Sequence, residues 1–240
     1  MSSKQLFDIH ALELGAMENF IHLIHDRETN SVAVVDPAWD VPAIQQKAEA
    51  IGATITDILL THSHRDHING VDELRAATGA QLHLHEIEYE FWGAELEALT
   101  LHKDGDKVSI GATEFTWLHT PGHTPGSSCF HFDGHLIAGD TLFVYGCGRC
   151  DMKGGDPKQM FEALKRLKHL PASTIIHPGH DYSVTKVSTM QEEAAGNPFM
   201  QWPEVESFSH YRLVEHDRTR ESPYAPLTKA DLIASGLMSE

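Results

Sequence analysis

The 240-residue chain carries 18 Lys and Arg against 35 Asp and Glu, a formal charge of −17 with its 18 histidines counted neutral. That balance lacks the basic footprint of a nucleic-acid binder. With 41% hydrophobic residues the chain can close a full core, which excludes a disordered segment, and its length allows one large domain or one domain with an appendage.

In chain order, Leu6 to Leu12, Asn19 to His25 and Ser31 to Val35 read as a strand meander ended by Asp36-Pro37. Val41 to Ala50 has helical spacing and stops before Gly52. Asp57 to Leu60 is an apolar strand, Val71 to Thr78 a helix closed near Gly79, Gln81 to His85 a short strand, and Glu86 to Leu99 a helix. Strands return at Lys107 to Ile110, Glu114 to His119, Ser128 to Phe132 and His135 to Ala138. Asp156-Pro157 is an N-cap followed by proline at the first helical position, opening a helix to about His169. Ser173 to Ile176 is expected to be the last core strand, and from Val184 a helix runs into an extended polar tail. Strand groups alternate with single helices in both halves. The expected class is an α/β sandwich of two mixed sheets packed face to face, with helices outside. A boundary is expected near Tyr182, with residues 183–240 an appendage packing on the same domain.

No apolar run approaches a membrane span, and the start Met1-Ser2-Ser3-Lys4-Gln5-Leu6-Phe7-Asp8 lacks a secretory apolar region. Cys129, Cys147 and Cys150 fit reduced thiols. Cys147-Gly148-Arg149-Cys150 has the spacing of a knuckle or redox pair but no partner motif, so neither role is assigned. A soluble, cytoplasmic protein without a membrane partner is expected; its oligomeric state is not legible.

The chemistry concentrates in Thr61-His62-Ser63-His64-Arg65-Asp66-His67, straight after the apolar run Ile58-Leu59-Leu60. His62 and His64 point the same way while the backbone is extended. Asp66 and His67 lie on the turn and can aim elsewhere, so one loop can serve two adjacent metal ions. A solvated histidine loop is the plainer reading of such a stretch, and the later sites decide against it. Each follows a strand: His123 within Pro121-Gly122-His123-Thr124-Pro125-Gly126, Asp140 within Gly139-Asp140-Thr141, and His180 within Pro178-Gly179-His180-Asp181-Tyr182. Loops at strand ends collect along one sheet edge and build sites. His83 and His85 repeat the two-residue spacing without a flanking Asp or Gly turn and are read as structural or exposed. His177 is read as structural, His119 as a possible support for a ligand loop, and His210 and His216 as surface residues.

Taken together, H-x-H-x-D-H, G-H, G-D and G-H in this order over residues 61–182 resemble the metallo-β-lactamase superfamily. The resemblance implies a four-layer αββα sandwich over residues 1–182 and a dinuclear site. Carried over, His62, His64 and His123 bind one metal, Asp66, His67 and His180 the second, and Asp140 bridges both. These donors suit zinc, and also iron or manganese. Two divalent ions about 3.5–4 Å apart share a water and ionise it to the nucleophilic hydroxide, and they polarise a substrate carbonyl. Asp66 is assigned a catalytic role in orienting that hydroxide.

Within the superfamily, Gly139-Asp140-Thr141-Leu142-Phe143, Gly146-Cys147-Gly148-Arg149, Gly179-His180-Asp181-Tyr182 and Asn197-Pro198-Phe199 resemble glyoxalase II, a hydroxyacylglutathione hydrolase. That implies a thioester hydrolase acting on a small molecule, with Arg149 and Tyr182 contacting substrate. The pattern departs at Asp151, where the family has an aromatic residue, and at Gln201 and Glu204, where it has basic ones. Arg149-x-Asp151, His180-Asp181-Tyr182 and the stretch from Val187 through Glu192-Glu193 to Asn197-Pro198 also resemble persulfide dioxygenases of the same fold. The alternative they imply is one iron on His62, His123 and Asp140.

Overall fold

The computed structural model describes residues 6–239, so Met1 to Gln5, at the start of the segment read for an export signal, lie outside it. One six-stranded sheet has the order β1 (Phe7–Leu14), β2 (Asn19–Asp26), β3 (Ser31–Val35), β4 (Thr54–Leu59), β5 (Gln81–His85), β6 (Leu99–His102). Helices α1 (Val41–Ala50), α2 (Arg65–Ile68), α3 (Val71–Thr78) and α4 (Glu86–Trp92) fall between these strands. The second sheet contains β7 (Lys107–Ile110), β8 (Thr113–His119), β9 (Ser128–Phe132), β10 (His135–Gly139), β11 (Ile175–Pro178) and β12 (Ser188–Thr189), with α5 (Pro157–Leu167) between β10 and β11. Both sheets are mixed: β1 to β3 are antiparallel and β3 to β6 parallel, while β10 and β11 form the one parallel pair of the second sheet.

Strand alternation builds the layers. On β3, Ala33 and Val35 face the second sheet, while Val32 and Val34 face the helices. On β8 and β9, Phe115, Trp117, Phe130 and Phe132 fill the space between the sheets. Leu118 and Cys129 turn the other way, toward α5. The result is a four-layer αββα sandwich, as expected from the sequence. Val41, Ile44, Val71 and Leu74 cover the first sheet; Met160, Leu164 and Leu167 cover the second. Residues of α6 (Met190–Gly196), α7 (Val205–His210), α8 (His216–Thr219) and α9 (Lys229–Ala234) lie beyond β12, and Met190, Phe208 and Leu232 share the α5 cluster.

Three expectations are corrected. The helix from Glu86 stops at Trp92, where Gly93 adopts the left-handed conformation, and Leu99 to His102 form the edge strand β6. β12 extends the second sheet past β11. Beyond it the segment is helical rather than extended. Its short helices carry capping boxes at Thr189 with Glu192 and at Thr228 with Asp231.

Candidate metal centre

The loop after β4, the turn after β8 and the ends of β10 and β11 meet at one edge of the sandwich. Phe20 N–H donates to the Gly179 carbonyl (2.8 Å), and Ser128 N–H donates to the Thr61 carbonyl (2.9 Å). These bonds lock one sheet to the other at the site. Donors of His62, His64 and His123 lie within 4.8 Å of one another, as do donors of Asp66, His67 and His180. Asp140 stands between the two sets: Oδ2 is 3.4 Å from His123 Nε2, and Oδ1 is 3.4 Å from both His67 Nε2 and His180 Nε2. All seven residues singled out from the sequence are therefore in one cluster.

The outward nitrogens explain why the inward ones are free. His123 Nδ1 donates to the Arg149 carbonyl and His180 Nδ1 to the Met17 carbonyl, each at 2.8 Å. His67 Nδ1 donates to Asp36 Oδ2 at 3.0 Å. Thr61 Oγ1 gives its proton to Asp36 Oδ2 (2.5 Å) and so accepts from His62 Nδ1 (3.0 Å). A neutral imidazole that donates through one nitrogen offers only a lone pair at the other. The lone pairs of His67 Nε2 and His180 Nε2 face each other at 3.1 Å, and the His123 Nε2 lone pair meets His64 Nδ1 at 2.8 Å. His62 Nε2 and Asp140 Oδ1 are buried without any hydrogen-bond partner. Facing lone pairs repel, and a buried orphan acceptor is costly. A cation between them removes both penalties, so the donor set fits bound metal.

Where no metal ion lies between these groups a proton supplies the positive charge, and the electrostatics place it on His67. Burial pushes His123 down to about 4 and His62 well below its ordinary value. Burial works against a charged His67 as well, yet Asp140, Asp36 and Asp66 carry it up to about 9. Burial opposes ionisation of Asp140, and the charges of His180 and His67 nevertheless hold it far below the carboxylate range. Three carboxylates around one imidazole make a cluster that draws positive charge.

Close backbone approach needs glycine at two points. A Cβ on Gly148 would collide with the Asp140 carbonyl oxygen and crowd His123, and one on Gly179 would come within 2.5 Å of Asp140 Oδ1.

Three supporting residues were not legible as such. Glu88, fully buried on α4, accepts from Ser63 N–H (2.7 Å) and Oγ (2.6 Å) through one oxygen, and from Thr124 Oγ1 (2.7 Å) and Gly126 N–H (2.9 Å) through the other. It clamps the two histidine loops together. Asp36 adopts a left-handed conformation (φ 52°) and also takes the Thr61 N–H (2.8 Å). Asn19 Nδ2 donates to Asp66 Oδ2 (3.1 Å). Only the Asp36-Pro37 break marked any of them in the sequence.

The centre opens into a cleft of about 480 Å³ whose other walls include Met17, Arg65, Phe143, Arg149, Met152 and Tyr182. Tyr182 stacks on His180 (centroids 4.6 Å, 11°) and meets Phe143 edge-on (5.4 Å). Arg149 turns its fork onto Asp151, with bonds of 3.0 and 2.7 Å. His119 donates to the Pro125 carbonyl (2.9 Å) and so braces the His123 turn. His83 lies between Asp57 and His102, and His85 stacks on His119 (4.2 Å). Cys147 and Cys150 are free, buried thiols; burial drives Cys147 well up and Cys150 up to about 12, an environment hostile to thiolate chemistry. His216, expected at the surface, is instead buried among Phe199, Tyr211 and Tyr224.

The model of the metallo-beta-lactamase superfamily matches residues 17–180. A probable polyketide biosynthesis zinc-dependent hydrolase of Bacillus velezensis, BaeB, is 31% identical over 86% of this chain and 93% of its own length. A hydroxyacylglutathione hydrolase of Fuscovulum blasticum is 39% identical over 75% of this chain and 69% of its own. The crystal structure of ETHE1 from Myxococcus xanthus superposes with a TM-score of 0.79 at 28% identity, covering 96% of this chain and 98% of that one. Among the described residues, no helix is long and apolar enough to cross a membrane.

Proposed function

The chain belongs to the metallo-beta-lactamase superfamily, and from that premise we propose that it is a metal-dependent hydrolase of small-molecule thioesters. The observation that carries this reading is Asp140, whose two oxygens face two separate donor sets. His62, His64 and His123 would hold one divalent ion, Asp66, His67 and His180 the other, and Asp140 both. Zinc suits the donors, and the Bacillus velezensis relative is described as zinc-dependent; iron and manganese suit them too. Bound there, such ions supply an acidified water and polarise a carbonyl oxygen.

The chain's own residues do the rest. Asp66, 16% exposed and pinned by Asn19, has an oxygen at the mouth of the cleft and can hold a proton of the attacking water. Met17, Phe143, Met152 and Tyr182 make an apolar wall for the thiol side of a thioester and exclude bulk water from it. Arg149, at the same mouth, can bind a substrate carboxylate only by parting from Asp151. Gln201 and Glu204 stand where glyoxalase II has basic residues, and Gln201 is bonded to the carbonyls of Ala194 and Asn197, which leaves Arg65 and Arg149 as the positive groups on the cleft wall. We therefore favour acyl carriers less acidic than glutathione.

A second reading, a mononuclear iron persulfide dioxygenase on His62, His123 and Asp140, is favoured by the likeness to ETHE1 along nearly the whole chain. Metal content and substrate separate the two. The hydrolase reading expects two ions per chain and free thiol released from an S-acyl thioester. One iron per chain, with oxygen consumed on a persulfide and no thioester cleavage, would overturn it.

A further inference from the structure

Among the described residues, one group of potential ligands shares nothing with the centre: Asp8, His10 and His25. They lie on the β1–β2 hairpin, where Asp8 pairs with His25 and His10 with Leu23. Residues two apart on a strand face the same way, and directly opposed residues share a face. One carboxylate and two imidazoles therefore project together on the side away from the sheet-to-sheet core, where Phe7, Ile9 and Ile24 point. The two rings lie 6.3 Å apart, tilted by 30°.

We propose that Asp8, His10 and His25 form a second cation site, for a borderline transition-metal ion such as zinc or copper, that clips the edge strand β1 to β2. The donor atoms already lie within 4.8 Å of one another. Two nitrogens on one zinc can be at most about 4.2 Å apart, twice a bond of about 2.1 Å, so a small side-chain rotation closes the triad. His10 Nε2 is buried and has no hydrogen-bond partner. His25 Nε2 has only a 3.3 Å contact with Asn30 Oδ1. Two imidazoles with one carboxylate select against magnesium and calcium, which take oxygen. Asp8 is shared with Arg27 Nε at 3.5 Å, and Lys47 also bears on His10, so this site is the weaker one. It is also remote: His25 is six positions along β2 from Asn19 beside Asp66, about 20 Å along a strand.

The test is metal content of the full chain after dialysis against buffered zinc, compared with His10→Gln and His25→Gln. The proposal expects the wild type to hold one ion per chain more than either variant, with turnover unchanged and the wild type alone showing the extra zinc-dependent rise in Tm. Equal metal content in all three overturns it. Asp8→Asn, half-exposed and harmless to packing, is the check if a histidine variant fails to fold: it must lose the same ion. Removing a ligand of the main centre, as in His123→Ala, must leave the hairpin ion in place, so failure here is distinct from failure of the dinuclear reading.

Discussion

Two histidine-bearing clusters in this molecule face opposite fates. At the centre, His67 is ringed by Asp36, Asp66 and Asp140 and is carried up to about 9 against the effect of burial. In the C-terminal helical layer, burial and the charge of Arg212 outweigh Asp217 and press His216 down to about 4. There His216 Nδ1 lies between Arg212 Nη1 (2.7 Å) and Asp217 Oδ1 (2.8 Å), and its buried Nε2 has no hydrogen-bond partner. Both rings are buried. What differs is the sign of the charge around them: carboxylates make a site that attracts cations, and arginines make one that excludes them. A count of histidines cannot tell these apart.

Breaking the first cluster should cost most. Asp140→Ala removes the oxygens that face both donor sets. We expect turnover to fall by more than about 100-fold, because even supporting residues of metal sites are worth about 10–100-fold. Circular dichroism should show the fold intact. Asp66→Ala should abolish hydrolysis similarly, and unchanged turnover would contradict its assigned role. Next comes Glu88→Ala. It strands four donors on the two histidine loops, and metal affinity should drop about 10–100-fold; chelator competition measures it. Tyr182→Ala, which removes the ring stacked on His180 but no donor, should raise KM several-fold more than it lowers kcat.

Changes in the helical layer should leave turnover alone. Phe199→Ala, a buried aromatic at the joint of α5 and the last helices, should lower stability by about 3–5 kcal/mol while folded protein keeps its kcat. The smallest effect concerns Glu193, which holds Tyr145 N–H, Ser188 and Asn197. Burial pushes its carboxyl up from 4.5 to about 7. Since the folded state holds that proton more tightly than the unfolded one, the stability gained is complete below about pH 4.5 and is lost as pH rises through 7. The Tm of Glu193→Gln should show a shallower fall than wild type between pH 5 and pH 8.

The sequence made the centre legible because its ligands are written in dense, glycine-flanked strand ends, which survive without knowledge of the packing. Glu88, Asp36 and Asn19 carry no such mark. Their partners lie 25 to 47 residues away, and only the folded chain brings Glu88 to Ser63 or Asn19 to Asp66. β6 was hidden because a four-residue edge strand follows helical-looking sequence without a proline. Of the last helices only the first was read from the sequence: α7 and α8 run into each other through the π-helical turn Tyr211–Glu215, which breaks the period-3.6 spacing, and α9 is shorter than two turns. His216 was misplaced because burial came from aromatic neighbours distributed over the tail.

The number of ions held by the seven-residue cluster separates the hydrolase from the oxygenase. An anomalous-scattering map from crystals of the protein purified without added metal is the direct measurement. Two peaks are predicted, one on either side of the Asp140 carboxylate. A single peak, bound by His62, His123 and Asp140 with Asp66, His67 and His180 left out, would contradict it.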